Sequence, residues 1–391
     1  MRSREASPRL RDEIRRRGPI PFDEFVEHAL YDEHDGFFMR GGGAGRAGRD
    51  FVTSPEVGAL FGALVARALD RWWDELGAPD PFVVIDAGAS RGRLAADVLR
   101  APPRCAPALR YVMVERSPLL RAAQREVLAV EPVEDALGPA ERTEPDEPAV
   151  PMTGVGPIVS ALEDLPASPV RGVVVANELL DNLPFRIVER AGTGWLEVRV
   201  GATDGALVEV LVAAPEELAG AADRVAAGAA LAPGARLPVP TGTAEWLQRV
   251  GDALRAGYLT VIDYAADAVA LASRGQEGWL RTYRGHDRGG PALVAPGSQD
   301  ITCDLPVEHL VESARRAGLA LVEHTRQADW LRALGVEELA DAAAGTWRKR
   351  APVGDLEAVA ARSRVHEADA LTDPAGLGAH HVFVFEKVAP G

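Results

Sequence analysis

Between residues 81 and 130 the chain twice repeats one pattern: an unbroken apolar run, an acidic residue, a turn and a helix. "PFVVIDAG" leads into "RGRLAADVLRA", and "LRYVMVE" leads into "SPLLRAAQREVLAV", where Ser117 suits an N-cap and Pro118 the first helical position. Val and Ile runs without polar alternation belong to strands covered on both faces, and strands that alternate with helices build a mostly parallel sheet. "GPIVSAL", "GVVVAN" and "YLTVIDYA" continue the series. With "LALVEH" and the terminal "HHVFVFEK" the count reaches about seven strands, an ordinary sheet size. The expected fold class is therefore α/β, with helices on both faces of the sheet.

Three stretches break the alternation. Residues 185–212 alternate polar and apolar with period two and carry turn residues, which predicts an antiparallel meander. Residues 265–304 read as a long Gly-rich connection around "TYRGHDRGG", and residues 326–378 as a helical insertion before the last strand. Long insertions of this kind shape sites. Upstream, Ser54 suits an N-cap, with Pro55 at the first helical position and Glu56 favouring the positive helix end. Val57, Leu60, Phe61, Leu64, Val65, Ala68 and Trp72 then recur on one helical face. The expected organisation is an N-terminal helical segment with a cofactor-covering loop over residues 1–78. A core over 79–391 follows, with insertions at about 185–243, 265–304 and 326–378.

Asp86, Gly88 and Gly92 stand in "VVIDAGASRG", a strand running through a glycine turn into a helix. Glycines let a ligand approach the backbone there, and the carboxyl ends of parallel strands are where such sheets bind ligands. Glu115 ends the next strand, where an acid accepts hydrogen bonds from a ribose diol. "GAGRAG" (43–48) matches a dinucleotide fingerprint in letters only, since no clear strand precedes it, and reads as a loop. Asp86, Glu115, Asn177, Glu178 and Asp263 all fall at strand ends. That many carboxylates disfavour a pyrophosphate and suit the positive sulfonium and ammonium of S-adenosyl-L-methionine. His286, within "TYRGHDRGG", is a candidate to line the site. His380 and His381 are neighbours on a strand and point to opposite faces, and the remaining histidines lack ligand spacing, so no metal is expected.

The net charge of −15 disfavours nucleic acid and anionic membrane and suits a basic protein surface. Two cysteines make no disulfide framework, and a reducing cytoplasm is the expected location.

"GPIPFDEFVEHALYDEHDGFF", "DFVTSPEVGALFG", "IDAGASRGRLAADVL", "YVMVERSPLLRAAQ", "ANELLDNLPF" and "GSQDIT", taken in order, resemble the MidA-like class I methyltransferases. The resemblance implies a Rossmann-like, seven-stranded methyltransferase core, an N-terminal segment over the cofactor, and S-adenosyl-L-methionine as donor. It also implies methylation of protein arginine, the activity associated with mitochondrial members that act in respiratory complex I assembly. It places Asp86, Gly88 and Gly92 in the cofactor loop and Glu115 at the ribose. Thr53, Ser54, Pro55 and Glu56 fall in the covering segment, and Asn177, Glu178 and Asp181 in the "NExxD" motif. Ser90 replaces a family glycine and fits at negative φ, and Ala265 replaces the glycine of "IDYG".

The expected enzyme transfers a methyl group to arginine of a protein, with Asn177 near the methionine end of the donor. Glu178 and Asp181 would orient the guanidinium, sharing a face if the segment turns helically. A small-molecule N- or O-methyltransferase and a non-catalytic assembly scaffold are the competing readings. The oligomeric state is left unassigned, a homodimer being one option.

Overall fold

A computed structural model describes residues 8–43, 53–138, 153–204, 206–285 and 287–389. The chain divides into two compact units: Met1–Val52 with Glu178–Arg249 and Asp263–Gly318, and Thr53–Asn177 with Val250–Ile262 and Leu319–Gly391. This division cuts the chain differently from a linear boundary at residue 78.

The second unit is built on the apolar runs. They form β1 (Phe82–Ala87), β2 (Leu109–Val114), β3 (Ile158–Leu162), β4 (Val170–Asn177), β5 (Leu254–Asp263), β6 (Ala320–Arg326) and β7 (His381–Lys387). The seven-stranded sheet has the order β6-β7-β5-β4-β1-β2-β3. β1 lies parallel to both β2 and β4, β2 to β3, and β4 to β5, whereas β6 runs antiparallel to β7. Every residue of β1 and β2 is buried, as unbroken Val/Ile composition requires of a strand covered on both sides. This is the Rossmann-like α/β architecture.

The helix Ala59–Glu75 lays Leu60, Phe61, Leu64, Val65, Ala68, Leu69 and Trp72 into the same core as Phe82, Val84, Tyr111 and Val173. The short helix before it, Ser54–Val57, starts one residue earlier than its capping residues suggest: Thr53 is the N-cap and makes no side-chain cap bond. The Ser54 hydroxyl donates instead to the side chain of Gln327, which removes it from the capping role. The insertion before β7 forms three helices, Gln327–Ala333, Val336–Arg350 and Leu356–Thr372.

The first unit has its own core. Gly194–Thr203 pairs antiparallel with Ile20–Pro21, Arg186–Ala191 and Ala206–Ala213, and Arg236–Val239 adds to Arg186–Ala191. Val198 and Val200, two residues apart on one face, and the adjacent Ile187 and Val188 are buried in one core with Phe22, Phe25 and Leu30 of the helix Phe22–Tyr31. The Gly-rich connection is more ordered than its composition suggests. Leu280–Arg284 pairs antiparallel with Asp287–Arg288 and Asp300–Cys303, seating Trp279 and Ile301 in this core. The alternation in "LRTYR" carries the strand, and the glycines only punctuate it.

Most of "GAGRAG" and the whole of His286 lie outside the described residues. Among the described residues no helix is long and apolar enough to cross a membrane.

Candidate active site

At the carboxyl end of β1 the chain curls through three left-handed residues, Gly88 (φ 76°), Ser90 (φ 48°) and Gly92 (φ 78°). The N–H groups of Gly88 and Ala89 both bond to the Val114 carbonyl, which folds the turn onto β2. A Cβ at Gly92 would stand 2.9 Å from the Met113 sulfur and would be strained at φ 78°, so glycine suits this position. Ser90 does not meet the condition of negative φ under which a serine replaces the glycine without strain. Its left-handed conformation is held at both ends: its N–H donates to Glu115 Oε2 (3.0 Å), and its carbonyl accepts from Gln124 Nε2 (2.9 Å).

Glu115 is buried, and burial raises its carboxyl while bonds from backbone N–H groups, those of Ser117 and Ser90 first, oppose the rise. Oε1 accepts the Ser117 N–H at 2.8 Å, so each carboxylate oxygen takes a backbone donor. A carboxylate oxygen has two lone-pair sites, which leaves capacity for the hydroxyls of a ribose. Asp86 lies deeper. Burial pushes it up to about 7, with the Tyr111 hydroxyl, donating to Oδ2 at 3.1 Å, opposing and the Glu115 charge adding. Asn177 ends β4, half-buried. In the same unit Thr53 and Ser54 are buried, while Glu56 is half-buried. A tight glycine turn with an acid after the next strand suits a nucleoside, and the concentration of carboxylates suits a cationic one. The residues present therefore fit S-adenosyl-L-methionine.

The first unit holds a second acidic group. Asp263 Oδ2 accepts the N–H groups of Leu180 (2.9 Å) and Asp181 (3.2 Å), and its Oδ1 accepts that of Tyr264 (2.8 Å). These bonds divert the backbone donors of residues 180 and 181 from a helical ladder. The helical turn expected through 178–181 accordingly does not form. Glu178 has φ 50°, and only a short 3-10 turn follows at Leu180–Asn182. Asn182 Nδ2 donates to Asp300 Oδ1 (2.9 Å) and to the Ile301 carbonyl (3.0 Å), which anchors the turn to the small sheet.

Asp181 is 3% exposed, and its Oδ1 takes no hydrogen bond from a described residue. Burial pushes its carboxyl up to about 7, with Arg281 opposing and Asp304 adding. Burial, then Asp181 and Glu178, also raise Asp263 well above the carboxylate range. Arg281 is the central cation. It pairs with Asp304 at 2.5 Å and lies over the Tyr264 ring at 4.6 Å, while Arg274 takes the other Asp304 oxygen at 2.9 Å.

The expected residues thus fall in two units: Thr53, Ser54, Pro55, Glu56, Asp86, Gly88, Gly92, Glu115 and Asn177 in one, Glu178 and Asp181 in the other. The sequence pattern does not mark Tyr264, Arg281 or Asp304 as site residues. Arg281 sits in a Gly-rich stretch, and nothing in its spacing marks a guanidinium at an acidic cluster.

A sequence profile of a family described as S-adenosyl-L-methionine-dependent methyltransferases matches residues 64–325. The mitochondrial protein arginine methyltransferase NDUFAF7 homolog of Drosophila melanogaster is 29% identical over 323 residues, covering 78% of this chain and 69% of that protein. The human mitochondrial protein arginine methyltransferase NDUFAF7 is 28% identical over 344 residues, covering 83% and 72%. A Burkholderia thailandensis structure bound to S-adenosyl-homocysteine superposes with a TM-score of 0.78 at 29% identity, covering 98% of this chain and 92% of that one. The expectation of a cytoplasmic location is corrected by these relatives, since those from Drosophila melanogaster and human are mitochondrial proteins. Buried, unpaired Cys105 and Cys303 fit a reducing compartment without specifying which one.

Proposed function

The chain belongs to the family of S-adenosyl-L-methionine-dependent methyltransferases, and from that premise we propose that its methyl acceptor is an arginine side chain of a protein. The observation that carries this reading is Arg281. Its guanidinium already rests on the Tyr264 ring and against Asp304 beside the buried carboxyl of Asp181, so the cluster has the chemistry a guanidinium requires. The names of the relatives, protein arginine methyltransferases, point the same way.

When bound, S-adenosyl-L-methionine supplies an electrophilic methyl group on a sulfonium. The chain's own residues do the rest. Glu115 accepts from the ribose hydroxyls while its backbone donors keep the carboxylate fixed, and the turn at Gly88–Gly92 admits the nucleoside close to the backbone. Thr53, Ser54, Pro55 and Glu56 cover the donor, and Asn177 meets its methionine end. Glu178, half-buried, orients the acceptor guanidinium through charge-assisted hydrogen bonds.

Arginine is protonated at neutral pH, so its alkylated nitrogen must shed a proton as the N–C bond forms. Asp181 receives it: the carboxyl is pushed up to about 7, and its Oδ1 is unengaged among the described residues. Tyr264 stays a neutral phenol because burial and the Glu178 and Asp181 charges oppose its ionisation. The acceptor protein presents a basic surface, complementary to the net charge of −15.

The test is mass spectrometry for a methylated arginine that disappears when the gene is deleted and returns with the parent protein. Glu178→Gln and Asp181→Asn should fail to restore it while binding S-adenosyl-L-methionine within about threefold of the parent, about 0.6 kcal/mol. Restoration of full methylation by both variants would overturn the acceptor assignment.

A further inference from the structure

We propose that the helical insertion before β7 serves the donor site through two positioning residues, Gln327 and Glu367, which hold the Thr53–Glu56 segment in its cofactor-meeting shape. The proposal rests on the reading that this segment covers the donor. Its physical basis is a pair of buried polar grips that flank one short helix, one on its first residue and one just beyond its end, both supplied by the insertion.

The first grip is at the start of the helix Ser54–Val57. Gln327 is fully buried and its Oε1 accepts from the Ser54 hydroxyl at 3.0 Å. Gln327 is itself fixed twice. Its Nε2 donates to the Leu371 carbonyl at 3.1 Å and its backbone N–H to the His380 carbonyl at 2.8 Å. The amide therefore cannot turn away without leaving a buried donor unpaired.

The second grip lies just past the other end of the helix. Glu367, 7% exposed on the helix Leu356–Thr372, accepts the N–H of Leu60 through Oε2 at 3.0 Å. Leu60 lies in the first turn of the helix Ala59–Glu75, where free backbone donors and the helix dipole both favour an anion. The Ser363 hydroxyl donates to the other oxygen at 3.0 Å. A Cβ at Gly58 would stand 2.1 Å from the Glu367 carboxyl carbon, so the junction between the two helices is shaped around this side chain.

An insertion that only shielded apolar surface would need neither grip. Fixing four residues that must meet a ligand lowers the conformational entropy lost on binding, which appears as affinity. The insertion is then part of the donor site without touching the donor.

Titration calorimetry with S-adenosyl-homocysteine tests this on the full chain. Gln327→Ala and Glu367→Ala should each weaken binding about tenfold, the effect of losing a buried hydrogen bond that holds the segment. Ser54→Ala should weaken it as well, and Ser54→Ala with Gln327→Ala should be no worse than Gln327→Ala alone, because the contact between the two is already lost in that variant. Ala343→Gly, in the helix Val336–Arg350, provides a control that destabilises the insertion without touching either grip.

Parental affinity in both grip variants would overturn the proposal, as would an equal loss in the Ala343 control. Thr53→Val and Glu56→Ala separate the two levels. If they weaken binding while the grip variants do not, the covering segment is right and the insertion's role is wrong. If they too bind as the parent does, the covering segment itself is wrong. Glu367→Gln keeps an acceptor oxygen for Leu60 and should bind within about twofold of the parent, the rescue expected if the hydrogen bond to Leu60 is what matters; a loss as large as that of Glu367→Ala would overturn the assignment of this grip.

Discussion

One oxygen of Asp263, Oδ2, accepts the backbone N–H of Asp181 at 3.2 Å together with that of Leu180 at 2.9 Å. A carboxylate that looks like chemistry in the sequence is thus committed to holding the turn on which Asp181 sits. Glu178 takes left-handed φ at the entrance to the same turn.

Asp263→Ala would leave the N–H groups of Leu180, Asp181 and Tyr264 without their acceptor. Loss of about 3–5 kcal/mol in urea unfolding is expected, together with loss of methyl transfer. Asp263→Asn keeps one acceptor oxygen for these backbone donors. It should cost less than half as much. Turnover in the parent should rise as pH passes about 7 and Asp181 ionises, which a pH–rate profile of the parent checks. Asp181→Asn should lose this limb together with turnover.

Ser90→Gly should stabilise the protein. A non-glycine residue at φ 48° carries strain, and glycine relieves about 0.5–1 kcal/mol of it without touching the backbone bonds to Glu115 and Gln124. A higher urea midpoint with unchanged slope, and donor affinity at least equal to the parent's, is the expected result.

His309, on the helix Val307–Arg316, sets an acid limit to stability. Burial pushes it down to about 4, Arg224 and Arg316 adding to the shift while the Pro240 backbone and Glu312 oppose it. The folded chain therefore keeps the ring neutral where the unfolded chain protonates it. The stability it contributes is complete above pH 6.5 and is lost as pH falls towards 4, about 3 kcal/mol in all. Unfolding free energies measured between pH 7 and 4 should fall less steeply for His309→Leu than for the parent.

The sheet was legible because its information is local. Val83 to Ile85, Val112 to Val114 and Val173 to Ala176 are apolar runs that only a doubly covered strand accommodates, and Ser117 with Pro118 writes a helix start in adjacent letters. The turn at Gly88–Gly92 and the place of Glu115 at the end of the next strand follow from that alternation, so the positions proposed for the donor are legible in the letters. The conformation of Ser90 was not. Its left-handed φ depends on Glu115 and Gln124, 25 and 34 residues away. The acidic cluster was readable only in part, because "NELLD" announces carboxylates but not their partners. Asp263 reaches the turn across 83 residues, and Arg281 joins through a strand whose neighbouring glycines suggested a loop. Local sequence therefore determined the sheet, its helices and the positions of the acids. Tertiary structure decided which acids are spent on backbone donors, which stay unengaged and which cation faces them, because burial and long-range hydrogen bonds are properties of the assembled fold alone.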